Sequence, residues 1–142
     1  MLKHYHLTER VIGTFYEVYN ELGFGFLESV YEEAMLIALE QKGFQVEKQF
    51  GIPVWFRGER IGRFEADLIL NGLIILELKA VRKIIDAHRA QLLNYLRATE
   101  IEVGLLLNFG PKPKFERIAF DNERKKQRPK PRSLIENLFL EE

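Results

Sequence analysis

A chain of 142 residues, 46% hydrophobic and 30% charged, is long enough for one domain with a sizeable core and too short for two. The lack of cysteine excludes disulfides and thiolate metal sites. No apolar run suits a membrane span or a signal-peptide core, so a cytoplasmic protein with no membrane partner is expected. The net charge is zero, but residues 111–132 carry nine Lys and Arg against three acids, leaving twelve basic and eighteen acidic residues elsewhere. A basic arm on an acidic body suits nucleic-acid phosphates; it equally suits a solvated loop.

In chain order, Thr8 is placed to cap a helix with the apolar stripe Val11, Ile12, Phe15, Val18, Tyr19 and Leu22, stopped by Gly23. The joint Gly23-Phe24-Gly25 leads into a second helix, with the stripe Leu27, Val30, Tyr31, Ala34, Met35 and Ala38 and a stop at Gly43. From Phe44 the period shortens: residues 45–50 and 53–56 read as strands, followed by the turn Arg57-Gly58-Glu59-Arg60. Residues 61–70 and 73–80 are the clearest strands, joined across Asn71-Gly72. Asp86 is placed to cap a third helix reaching about Thr99. Residues 101–108 form a near-continuous apolar strand, as expected where both faces are covered, and 115–120 an edge strand. The polar stretch 121–132 reads as a loop, and Ser133-Leu134-Ile135-Glu136 fits a capping box opening a short C-terminal helix. This order predicts a single α/β domain over 1–142, a mixed sheet flanked by helices with its core at about 9–120.

Alternation sorts the central hairpin into faces. Phe64, Ala66, Leu68 and Leu70, with Ile74, Leu76, Leu78 and Ala80, form an apolar set; the other set holds Arg63, Glu65, Asp67 and Ile69, with Leu73, Ile75, Glu77 and Lys79. Two carboxylates and an amine beside a buried set are costly unless they are paired or bind a metal, and a cross-strand ion pair is the plain alternative. Register decides whether they meet. A two-residue turn at Asn71-Gly72 would pair residues whose numbers sum to 143 and point Asp67 and Glu77 to opposite sides. The expected register therefore has an even sum, from a three-residue loop or a bulge with Gly72 left-handed.

Asp67, then Glu77-Leu78-Lys79, preceded by a helical carboxylate, stand in the order that resembles the PD-(D/E)XK nuclease superfamily. Gly25-Phe26-Leu27-Glu28-Ser29-Val30-Tyr31 resembles the motif naming its GxxExxY branch. Glu77-Leu78-Lys79-Ala80, then His88 and Gln91-Leu92-Leu93-Asn94-Tyr95-Leu96, then Gly104-Leu105-Leu106-Leu107-Asn108-Phe109-Gly110 are similar to the same branch, over about 9–120. The resemblance implies a restriction-endonuclease-like fold, with an extra N-terminal helix, hydrolysing phosphodiester bonds in nucleic acid, DNA first; the basic loop and short C-terminal helix beyond Phe120 lie outside it and rest on charge and the capping box alone.

Asp67 and Glu77 are hard oxygen ligands suited to Mg²⁺ or Mn²⁺, and Lys79, two residues on, can hold a water and offset phosphate charge. The resemblance makes the Leu78 carbonyl a metal ligand and Glu28 a supporting or second-metal ligand. A first-turn Glu favoured by the helix dipole is the alternative for Glu28. Gln91 and Tyr95, with His88 three before, form a polar helical stripe that the resemblance turns toward the site and the nucleic-acid backbone. A polar helix edge, or a His88 ring bonded at the helix start, remains open. Arg124, Lys125, Lys126 and Arg128 are the expected phosphate contacts of the arm. Glu65 is either an extra ligand or a repellent of phosphate, and a homodimer stays open.

Overall fold

The computed structural model describes residues 2–125; the expected C-terminal helix, Lys126 and Arg128 lie outside them. The elements run α1 (Tyr5–Leu22), α2 (Glu28–Gln41), β1 (Val46–Phe56), β2 (Glu59–Leu70), β3 (Ile74–Lys79), α3 (Asp86–Arg97), β4 (Val103–Phe109) and β5 (Pro113–Ala119), then a 3₁₀ turn at Asn122–Arg124. The sheet order is β1-β2-β3-β4-β5, antiparallel except for the β3–β4 pair, whose parallel crossover is α3.

Two hydrophobic layers sandwich the sheet. Val11, Phe15, Tyr31, Met35 and Leu39 of α1 and α2 meet Leu68, Leu70, Leu76, Leu78, Leu105 and Leu107 on one side. On the other, Leu92, Tyr95 and Leu96 of α3 meet Ile52, Ala66, Ile69, Ile75 and Leu106. Every residue of β4 is buried, which explains its unbroken apolar sequence. Each such Leu or Ile contributes about 1.5–3 kcal/mol by leaving water. A three-layer α/β arrangement follows, as the pattern predicts.

The central hairpin pairs Leu68 with Leu76, Ile69 with Ile75 and Leu70 with Ile74, all summing to 144. The even register thus holds, through the loop Asn71-Gly72-Leu73 with Asn71 and Gly72 at φ 52° and 66°. The turn at Arg57-Gly58 is a two-residue one, with both φ positive and Phe56 opposite Glu59.

Several expectations are corrected. The first helix begins at Tyr5 after His4, and Thr8 instead donates its hydroxyl to the Tyr5 carbonyl at 3.0 Å. The two expected strands at 45–50 and 53–56 are one, because Pro53 sits in an edge strand where its missing N–H costs nothing in the ladder. Leu27 and Val30 are exposed, and the buried stripe of α2 ends on Leu39. Asp86 is the first helical residue, not the cap, and binds Arg89 at 2.7 Å. Phe64 and Ala66 pack with the α3 layer, not with Leu68 and Leu70. The alternation breaks at Asp67, between the pairs Lys48–Leu68 and Phe50–Ala66, where Gln49 of β1 takes a φ of 50°.

Candidate active site

The β2–β3 ladder stops at Leu68–Leu76, and beyond it side chains take the place of backbone bonds. The Asp67 N–H donates to Glu77 Oε1 at 3.1 Å, and the Leu78 N–H donates to Asp67 Oδ2 at 2.8 Å. Glu77 is only 2% exposed. Burial pushes its carboxyl up to about 9, and the Asp67 charge adds to the shift. Burial raises Asp67 as well, against the opposing pull of the Leu78 N–H and Lys79.

Lys79 continues the Glu77 face of β3 and donates from Nζ to Gln91 Oε1 at 3.0 Å. Gln91 Nε2 in turn donates to the Tyr95 hydroxyl at 3.0 Å, one turn along α3. Tyr95 is buried, its ring 4.9 Å from that of Phe64, and burial followed by the Glu77 charge pushes its hydroxyl up to about 12. Expected at the nucleic-acid surface, Tyr95 is instead a post that orients Gln91. α3 can lie this close because Gly104 has no side chain: a Cβ there would stand 2.7 Å from Leu92. His88 accepts the Ile85 N–H on Nδ1 at 3.1 Å, so that nitrogen belongs to the helix start.

On the other layer, Glu28 opens α2, is exposed, and adds negative charge near Asp67. Among the described residues no three His, Asp or Glu side chains are gathered for a metal. Sequence reasoning missed Glu32. It is 7% exposed, Oε1 has no hydrogen-bond partner, and burial, then Asp67, raises its carboxyl. The signal was present: Glu32 lies four residues after Glu28, beside the buried Tyr31 and Met35. Glu65, by contrast, is exposed and pairs with Arg63 at 2.9 Å.

Of the basic arm, one residue stands otherwise than expected. Lys125 is buried, donating to the carbonyls of Thr99 and Ile101 at 2.7 and 3.0 Å, and burial lowers its amine to about 8. Arg124 lies 4.9 Å over the Phe120 ring. Lys125 is therefore a plug in the fold.

Asp67 and Glu77 offer two converging carboxylates, hard oxygen donors, and Glu32, whose Oε1 has no hydrogen-bond partner, lies near enough to feel the Asp67 charge. Such donors suit Mg²⁺ or Mn²⁺, which need few protein ligands because they keep several waters. The superfamily profile described as PD-(D/E)XK nuclease matches residues 5–118. The chain belongs to the PD-(D/E)XK nuclease superfamily. Such nucleases generally use divalent metals and act on nucleic acid. The crystal structure of SSO0001 is similar in fold, with a TM-score of 0.53 at 20% identity over 80% of this chain and 55% of that one. This chain thus spans about half the length of that protein. No curated protein matches. No helix among the described residues is long and apolar enough to cross a membrane.

Proposed function

We propose that this superfamily member is a metal-dependent nuclease of the GxxExxY branch, hydrolysing phosphodiester bonds in nucleic acid, DNA in the first instance, in the cytoplasm. The observation that carries the reading is the Asp67–Glu77 carboxylate pair set against a Lys79 held by Gln91. Asp67, Glu77 and the Leu78 carbonyl would hold Mg²⁺ or Mn²⁺, with Glu28 and Glu32 as outer support. A bound divalent ion supplies polarisation of a phosphate oxygen and a more acidic water. Gln91 fixes the Lys79 ammonium, which orients the attacking water and offsets charge gathering on the phosphate oxygens. Tyr95 keeps Gln91 from rotating away. His88, through the ring nitrogen not used at the helix start, and Arg124 are left for binding the nucleic-acid backbone.

The test incubates labelled single- and double-stranded DNA and RNA with the protein in Mg²⁺, Mn²⁺ or EDTA. Cleavage in metal, lost in EDTA and in Asp67→Asn and Glu77→Gln, is expected. Nucleic-acid and Mg²⁺ binding without cleavage of any of the four substrates would make the chain a silent binding module.

A further inference from the structure

Helix α2 is apolar on two sides. Tyr31, Met35 and Leu39 bury its inner side, yet Leu27, Val30 and Ile37 stand 76%, 39% and 56% exposed away from the core, with the half-buried Ala34 between the last two. Their spacing draws one apolar seam along the outside of the helix. A helix apolar on both sides is ordinarily a buried one. The helix is also acidic, carrying Glu28, Glu32, Glu33 and Glu40 and no Lys or Arg. Lys48 pairs with Glu33, while Glu28 and Glu40 are exposed and join no ion pair among the described residues.

The sequence beyond Lys125 is the complement of that surface. Residues 126–132 hold Lys126, Arg128, Lys130 and Arg132 with no acid, and then Leu134, Ile135, Leu138 and Phe139 recur at the spacing of one helical face. The position of Lys125 puts α2 within reach. Its amine is fixed by the Thr99 and Ile101 carbonyls, and its N–H donates to Asn122, whose own N–H is held by Glu102 beside Lys3. Lys3 precedes α1, and Arg10 on that helix donates to the Lys42 carbonyl, at the end of α2, at 2.6 Å. The rise from Lys3 to Arg10 is about 10 Å. Residues 126–133 extend to about 27 Å, enough to bring Leu134 to that end of α2. From there the lengths agree, since Val30 to Ile37 and residues 134–140 at helical rise each cover about 10 Å.

We infer that the C-terminal segment folds back on the outer face of α2 of its own chain. Leu134 and Ile135 cover Ile37, Leu138 and Phe139 cover Val30, and the basic run 126–132 lies towards Glu40 and Glu33. The basic arm is then engaged by the acidic body and is no free phosphate clamp, whether or not the protein cleaves nucleic acid. A seam closed in this way is also withheld from a second copy of the chain.

The chain has no cysteine, so an introduced disulfide reports the contact. In the full chain, Ile37→Cys with Leu134→Cys should close an intramolecular disulfide under mild oxidation at least tenfold faster than Glu9→Cys with Leu134→Cys. Glu9 is exposed and lies on α1 between Lys3 and Arg10, so an unattached segment would meet it first. Equal rates, or a faster Glu9 pair, would overturn the docking. A disulfide joining two chains would give the seam to a second copy and overturn it as well. Limited trypsin digestion supplies a readout free of cysteine. Ile37→Glu, at a site exposed among the described residues, should speed cleavage after Arg132 at least tenfold with an unchanged circular dichroism spectrum, and Ile37→Leu should keep the wild-type rate. Cleavage after Arg132 at the wild-type rate in Ile37→Glu would also overturn the docking.

Discussion

Replacing Glu77 by glutamine tests the electrostatics of the site through stability alone, with no need of an activity assay. The side chain is 2% exposed, and burial beside Asp67 raises its carboxyl from 4.5 to about 9. An acid whose folded pKa exceeds its unfolded value stabilises the fold below the unfolded pKa, and that stability is lost as pH rises through the folded one. For Glu77 the window runs from about 4.5 to 9 in metal-free protein. Within it the folded state holds one more proton than the unfolded state, so stability should fall by up to about 1.4 kcal/mol per pH unit. Glu77→Gln mimics the neutral form, keeps an oxygen for the Asp67 N–H, and removes this slope. Between pH 6 and 8 the wild type should therefore lose about 2–3 kcal/mol relative to the variant. That corresponds to roughly 10 °C in Tm for a domain of this size. Urea denaturation in EDTA at pH 6, 7 and 8 measures it. Saturating Mg²⁺ should flatten or reverse the wild-type slope, because ligation needs the carboxylate and releases its proton. Parallel wild-type and variant lines in EDTA would refute the buried, protonated Glu77.

Gln91→Ala should lower kcat about 10–100-fold with Mg²⁺ affinity unchanged, since it frees Lys79 without removing a ligand; isothermal titration and single-turnover cleavage separate the two effects. Lys79→Ala should bind metal as tightly as wild type yet lose turnover, and wild-type cleavage would show that the ammonium takes no part. Lys125→Ala should lower stability by about 1–3 kcal/mol, because it strands the Thr99 and Ile101 carbonyls, and chemical denaturation reads the change.

The hairpin register was legible because only an even sum keeps one side uniformly apolar, a constraint that acts through burial alone. The break in alternation at Asp67 was not, because it depends on a left-handed Gln49 on the neighbouring strand, which no glycine advertises. Runs of basic residues report charge and not burial, so Lys125 read as a solvated arm, although two carbonyls hold it inside. Glu32 hid behind the stronger signal of Glu28, and its burial emerges only when α2 is docked.

The replacement of ladder bonds by the Asp67 and Glu77 carboxylates has an evolutionary consequence. A mutation to alanine at either position would strand a peptide N–H inside the sheet as well as abolish a ligand, so drift away from catalysis is penalised in fold stability. Asparagine and glutamine preserve an acceptor oxygen at the same reach while discarding the charge. Descendants that have abandoned hydrolysis but kept the architecture should therefore carry amides at these two places, and a survey of natural variants could recognise them by that substitution alone.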